Sequence, residues 1–284
     1  MCGTLYLCAT PIGNLGDVSA RALELFRTAD LIAAEDTRRT VQLLNHFGIS
    51  KPLTSYHEHN KREKGAYITG LLEEGKNVCL VSDAGTPAIS DPGEDLVRLC
   101  IEKNLPVTSV PGPVAAVNAL ILSGLSTRRF SFEGFLSVNK RHRREHLEQV
   151  KNDPHTLIFY EAPHKLKYTL HDMCAAFGGG RRIALARELT KLHEEVLRMT
   201  LAEAEAYYEE TAPRGEYVLV IEGAPDCATP TDAWWAELPV PAHVEHYIEK
   251  GLSPKEAVKE AAKDRGLPKR DVYNAYHTTG DDAH

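Results

Sequence analysis

The chain has 284 residues, a formal net charge of −7 at pH 7, 43% hydrophobic residues and 26% charged ones. That mixture belongs to ordinary folded domains and excludes disordered, collagen-like and disulfide-scaffold classes. No apolar run approaches the roughly 18 residues of a membrane-spanning helix, and the start MCGTLYLCAT lacks the basic and apolar parts of a secretion signal.

Leu5–Thr10 reads as a first strand. Asp17 is expected to cap a helix carrying Val18, Ala22, Leu25, Phe26 and Ala29 on one face. Leu31–Ala34 is the next strand, followed by a helix with Val41, Leu44 and Phe47 that ends at Gly48. Val78–Ser82 and Val107–Val110 are further strands. Strands alternating with helices imply a parallel α/β sheet. Val114–Leu122 is an apolar helix leading into a second half, whose strand candidates are Thr156–Tyr160, Ile183–Ala186, Val196–Leu201 and Tyr217–Ile221.

A proline-rich linker with Trp234 and Trp235 is expected over residues 225–241. Three short helices follow. The first carries Val244, Tyr247 and Ile248. The second opens on the capping box Ser253-Pro254-Lys255-Glu256, and the third carries Val272, Tyr273 and Tyr276. The set is open to two readings, a nucleic-acid-binding helix-turn-helix module or a helical cap on the core.

Cys2, Cys8, Cys79, Cys100, Cys174 and Cys227 show no C-x-x-C spacing, which suits reduced thiols in the cytoplasm. Gly70–Asn77 imitates a phosphate loop but lacks the final Ser/Thr and precedes a strand, so Gly75 reads as a helix C-cap. His57-Glu58-His59 has no further ligand cluster, the helical His142/His146 pair sits among Lys140, Arg141, Arg143 and Arg144, which would repel a cation, and no metal is expected. Two basic islands offset the negative total. Residues 140–151 hold five Lys/Arg against two Glu, and residues 250–270 hold seven against three acids. A polyanion is bound by such local patches rather than by net charge.

Three loops follow strands of the first sheet: Ala9–Asp17, Asp83–Gly93 and Pro111–Pro113. In an open α/β sheet, ligands bind outside the carboxyl ends of the strands. Glycines there permit close backbone approach, and prolines fix the loops. Together they predict one composite small-ligand site.

The segments TLYLCATPIGNLGD, DLIAAEDTRRT, SYHEHN, LVSDAGTPAISDPG, PGP, FEGFL, IFYEAPHK, ARELTKLHEE and GEYVLVIEG, in order over residues 4–224, resemble the ribosomal RNA small subunit methyltransferase I family of the tetrapyrrole-methylase superfamily. The resemblance implies two α/β domains (1–113 and 114–224) with S-adenosylmethionine between them. It also implies a small helical C-terminal module at 242–284, resembling that of the family less distinctively, and a homodimer. The implied reaction is 2′-O-methylation of a cytidine ribose, position 1402, in the decoding region of 16S rRNA, either free or in the assembled small subunit.

By the same resemblance the cofactor lies against Pro11, Gly13, Asn14, Asp83, Gly85, Thr86, Ile89, Ala115, Ala116 and Tyr160. The superfamily often has serine after its Pro-Gly turn. Here Val114, Ala115 and Ala116 stand there, so backbone contacts must serve. A weakly acidic hydroxyl benefits from a base. Asp36 is a candidate, with Arg38 and Arg39 holding flanking phosphates; the competing reading makes Asp36 a helix N-cap. Lys191, His193, Glu194, Glu161 and His164 are second-tier candidates. Lys140, Arg141, Arg143 and Arg144, and on the tail Lys255, Lys259, Lys263, Lys269 and Arg270, are the expected RNA contacts. The alternatives are a tetrapyrrole C-methyltransferase, which the basic islands do not favour, and a non-catalytic RNA-binding protein, which leaves the three loops unexplained.

Overall fold

The computed structural model describes residues 1–225, 234–235 and 237–278. Residues 1–224 form one compact unit, and residues from Pro225 onward belong to another.

The first sheet contains β1 (Leu5–Cys8), β2 (Leu31–Ala34), β3 (Leu53–Ser55), β4 (Val78–Val81) and β5 (Val107–Val110), all parallel, in the order β3-β2-β4-β1-β5. Helices cover both faces, so β2 and β4 read as continuous apolar runs. Leu5, Leu31, Ala33, Val78 and Leu80 pack with Ile68 and Leu72 of α3 (Lys61–Glu73) and Leu96 and Cys100 of α4 (Gly93–Glu102). The opposite face puts Cys8, Ile32, Ala34, Cys79 and Val81 against Phe26 of α1 (Ala20–Thr28) and Leu44 of α2 (Thr37–His46).

The second sheet contains β6 (Phe130–Phe135), β7 (Thr156–Glu161), β8 (Arg182–Arg187), β9 (Glu195–Thr200) and β10 (Tyr217–Ile221). Its order is β6-β7-β10-β8-β9; only the β6–β7 pair is parallel. One face buries Leu157, Phe159, Leu185 and Leu219 against α6 (Lys140–Val150), α7 (Leu166–Phe177) and α8 (Leu201–Glu210). On the other face, α5 (Ala115–Ser123) sets Ala116, Ala119 and Leu120 on Ile158, Ala184, Val218 and Val220.

Two expectations on this part need correction. Ser19, not Asp17, caps α1, accepting the Ala22 N–H at 3.1 Å, while Asp17 sits in a single 3-10 turn at Leu15–Asp17. Strands β3 and β6 are additional. Gly75 does lie just past the end of α3, with φ +90°, rather than in a phosphate loop.

In the C-terminal unit, α9 (Val240–Glu249), α10 (Pro254–Arg265) and α11 (Lys269–Thr278) enclose a small core of Val244, Ala257, Val258, Ala261 and Val272. Ser253 and Glu256 form the expected capping box, and Gly266 closes α10 at φ +61°. Most of the expected linker, residues 226–233 and 236, and with it Cys227, lies outside the described residues. Its end is helical instead: Pro239 is the N-cap of α9 and Pro241 lies in the first turn, where a missing N–H costs nothing.

Candidate active site

The loops after β1, β4 and β5 meet. Thr10 and Gly85 exchange backbone hydrogen bonds, Thr10 N–H to Gly85 O at 2.9 Å and Gly85 N–H to Thr10 O at 3.1 Å. Thr86 Oγ1 donates to Pro113 O at 3.0 Å. Gly85 holds φ +84°, and an added Cβ would stand 3.3 Å from Ile12 Cγ2 and 3.4 Å from Pro113 O. Gly13 is tighter still. Its Cβ would lie 2.3 Å from Lys191 Cγ and 3.0 Å from Leu189 O, so the β1 loop touches the segment after β8 without room for a side chain.

Beside these loops opens a cavity of about 420 Å³, within the usual range for a small-ligand pocket of roughly 300–1,000 Å³. Ile12, Ile89, Val114, Ala115, Leu189 and Val218 give it apolar walls. Its charged lining is mostly acidic: Glu35, Asp83, Asp91, Glu161, Glu188 and Glu216, with Arg39 and Lys191 as the cations. A ligand with a sulfonium and an ammonium group fits that balance, and one with an adenine face fits the apolar walls.

Of the expected cofactor contacts, Asp83, Gly85, Thr86, Ile89, Ala115 and Tyr160 line this cavity. Pro11 and Gly13 line an adjoining concavity of about 160 Å³, which shares Arg39, Ser82 and Asp83 with it. Ala116 offers its N–H to Tyr160 Oη at 3.2 Å, tying β7 to the start of α5. Burial pushes the Tyr160 phenol up. Asn14 accepts the Gly16 N–H at 2.9 Å, holding the loop and lining neither concavity.

The backbone over the cavity is unusual. Ala88 and Ser90 both have positive φ, 68° and 62°, on either side of Ile89. Non-glycine residues are uncommon there and cost about 1–3 kcal/mol each. Asp91 fixes the turn by accepting N–H groups from Ala88 at 3.0 Å and Gly93 at 2.7 Å; burial still raises its pKa. Replacing Asp91 with Ala should release Ile89 from the cavity wall and weaken donor binding at least tenfold, read by calorimetry.

The Glu35–Arg39 segment divides its roles in a way the sequence did not reveal. Asp36 is the N-cap of α2: its Oδ1 accepts the Arg38 N–H at 2.9 Å, and its two oxygens receive Arg38 Nε and Nη2 at 3.0 and 2.8 Å. Those bonds lower its pKa to about 2. Asp36 and Arg38 line neither concavity. Asp36 thus displays the capping role, one of its two readings, and Arg38 engages three of its roughly four acceptor sites. Glu35, one residue earlier, lines the cavity, and burial, then Asp83 and Asp91, push its pKa up. Arg39 lines both concavities and reaches Asp83 Oδ2 at 3.2 Å; Asp83 Oδ1 also accepts the Asp36 N–H at 2.9 Å.

Among the second-tier residues, Lys191 bridges Glu188 at 2.9 Å and Glu216 at 3.3 Å on the cavity wall. Glu161 lines the cavity but is buried, accepting Thr169 Oγ1 at 2.6 Å and the Ala162 N–H at 2.8 Å. His164, His193 and Glu194 are exposed and outside it. Among the described residues, no group of three His, Cys, Asp or Glu side chains is placed to hold a metal ion.

The basic islands also separate. Arg143 is 9% exposed and directs Nε to Asp172 Oδ2 at 2.8 Å, while Arg144 Nε takes Asp172 Oδ1 at 2.8 Å. Arg143 is thus corrected from an RNA contact to a tie between α6 and α7. Burial raises the Asp172 pKa, but the hydrogen bonds from Arg144 and Arg143 outweigh it and leave a net lowering. Arg143→Ala should cost about 1–3 kcal/mol by leaving the buried Asp172 carboxylate with Arg144 as its one ion-pair partner, measurable by urea unfolding. Lys140 and Arg141 are exposed, Arg141 in a pair with Glu145. On the C-terminal unit Lys255, Lys259 and Lys263 stand at i, i+4 and i+8 on the outer side of α10, and Lys269 and Arg270 open α11, all exposed.

A family model described as Tetrapyrrole (Corrin/Porphyrin) Methylases matches residues 4–205. A Ribosomal RNA small subunit methyltransferase I of Halalkalibacterium halodurans is 53% identical over 275 residues, covering 97% of this chain and 95% of that protein. The protein of the same name from Bacillus subtilis is 49% identical, covering 97% and 94%. Among solved structures, uroporphyrin-III-C-methyltransferase from Thermus thermophilus superposes with a TM-score of 0.56 at 19% identity, covering 78% of this chain and 94% of that one, a likeness of fold. Identity near one half over almost the whole length, added to parallel strands whose loops build an acidic, apolar-walled cavity, places this chain in the ribosomal RNA small subunit methyltransferase I family of the tetrapyrrole methylases.

Proposed function

We propose that this enzyme methylates the ribose 2′-hydroxyl of a cytidine, position 1402, in the decoding region of 16S rRNA. Methyltransferase chemistry with S-adenosylmethionine as donor follows from family membership. The observation that carries the site is the cavity at the carboxyl ends of β1, β2, β4 and β5. When bound there, S-adenosylmethionine supplies an electrophilic methyl group on sulfur. Asp83, Gly85, Thr86, Ala115 and Tyr160 would hold it, and the surrounding carboxylates favour its cationic groups.

The protein's own task is then alignment and proton removal. Holding reactants in a near-attack geometry is worth roughly 7–11 kcal/mol. The Glu35 carboxylate receives the 2′-hydroxyl proton, and its raised pKa makes it the stronger base of the Glu35–Asp36 pair. Arg39, anchored by Asp83 at the junction of the two concavities, faces a flanking phosphate. Nucleotide-resolution mapping of methyl groups in rRNA from cells with and without the gene tests the assignment. An unchanged ribose at position 1402 rejects it.

The lysine row on α10 supports a polyanionic substrate, either rRNA or the assembled small subunit, in the cytoplasm. Lys255→Gln, Lys259→Gln and Lys263→Gln together should weaken RNA binding and reduce its logarithmic salt slope by about 2–3, with donor affinity unchanged. A homodimer belongs to the same reading. Val117, Ile121 and Leu122 leave α5 with an exposed apolar face, and sedimentation should show two copies per particle.

A further inference from the structure

We propose that Arg128, Arg129 and Phe130 form a nucleotide-binding subsite for single-stranded RNA flanking the target residue; the proposal rests on the rRNA reading above. These three residues and His155 line an open concavity of about 490 Å³, distinct in its lining from the cofactor cavity. Both arginines are exposed, and among the described residues neither guanidinium has an acidic partner. That sets them apart from Arg38, Arg39, Arg141, Arg143 and Arg144, each held by a carboxylate. An adjacent acid, Asp153, is already engaged by His155 Nδ1 at 2.8 Å and Ser131 Oγ at 2.9 Å.

The backbone that carries the pair is fixed. Thr156 N–H donates to Arg129 O at 3.3 Å, and Thr156 Oγ1 donates to Ser126 O at 2.7 Å, pinning the segment before β6 to β7. Phe130 is 45% exposed on an edge strand. An unpaired cation pair beside an exposed aromatic ring is the combination that holds a sugar–phosphate backbone and stacks a base, whatever its sequence.

A bulge in β6 links this subsite to the active site. Phe130 pairs with Thr156, Phe132 with Ile158, and Phe135 with Tyr160, because the register shifts between Phe132 and Gly134. Strict alternation would put Phe135 on the other face; the extra residue returns it to the face of Phe130 and Phe132. Phe132 and Phe135 both lie against Tyr160, with ring centroids 5.1 and 5.4 Å away, and Phe135 lines the cofactor cavity. From Phe130 to Phe135 the strand runs about 16 Å at ~3.3 Å per residue, no more than about five stacked nucleotides. The aromatic row is thus a track from the arginine pair to the cavity.

The test uses the full-length protein and small ribosomal subunits from cells lacking the gene, with binding measured across a salt series. Arg128→Gln/Arg129→Gln should weaken binding at least tenfold and reduce the slope of log affinity against log salt by about 1–2. Phe130→Leu should weaken it roughly fivefold or more at unchanged slope. Donor affinity and thermal melting should stay at the wild-type level in both. If wild-type protein binds the subunits and both variants match it in affinity and slope, the subsite is wrong and the rRNA reading stands. If wild-type protein does not bind them, both fall. If the variants instead change the oligomeric state in sedimentation while each assembled particle binds normally, the face belongs to a second copy and the proposal is overturned.

Discussion

Gly85→Val is expected to abolish S-adenosylmethionine binding in a protein that still folds. Gly85 holds φ +84°, a region closed in practice to a β-branched residue. Its first added atom would stand 3.3 Å from Ile12 Cγ2 and 3.4 Å from Pro113 O, so relief means moving the β1 loop or the β5 loop. Both loops line the same site, and the Thr10–Gly85 hydrogen bonds transmit any shift. The strain is of order 1–3 kcal/mol, which a core of this size tolerates. Calorimetry should find no donor binding while circular dichroism retains the fold. Normal affinity in the folded variant would remove this loop from the site.

Glu35→Gln should lower turnover by about 10²–10⁴-fold, the usual worth of a general base, with a far smaller loss of donor affinity because five other carboxylates line the cavity. The sign of its pH dependence follows from its raised pKa. The active form is the carboxylate, so turnover rises as pH climbs through that pKa and falls away below it. The Gln variant should lose that acidic limb. Asp36→Asn keeps a capping oxygen and should change turnover less than tenfold. Single-turnover kinetics on both variants decide between adjacent acids, and a larger loss in Asp36→Asn would return the base to Asp36.

Much of the first sheet is legible in sequence because parallel strands buried on both faces leave unbroken apolar runs, as in Leu31–Ala34 and Val78–Val81. Strand β3 is not, since Leu53–Ser55 is three half-buried residues after a proline. Strand β6 escapes because its aromatic alternation includes a bulge at Glu133–Gly134. The loops of the site are readable from their glycines and prolines. The choice between Glu35 and Asp36 is not, because identical chemistry one residue apart is resolved only by which backbone position begins α2. Arg143 looks like part of a solvated basic run until Asp172, 29 residues away, is brought beneath it.

The interior place of β1, between β4 and β5, has a consequence for synthesis of the chain. Its neighbours are β4 and β5, so Leu5–Cys8 cannot complete its pairing until Val107–Val110 has left the ribosome. At ~5–20 residues per second, that delay is roughly 5–20 s. Until β4 emerges both edges of this nascent strand are unpaired, and until β5 emerges one edge stays exposed to chaperones and to its neighbours on the polysome. Translation speed across the first hundred or so codons should therefore govern soluble yield more than speed anywhere later in the message.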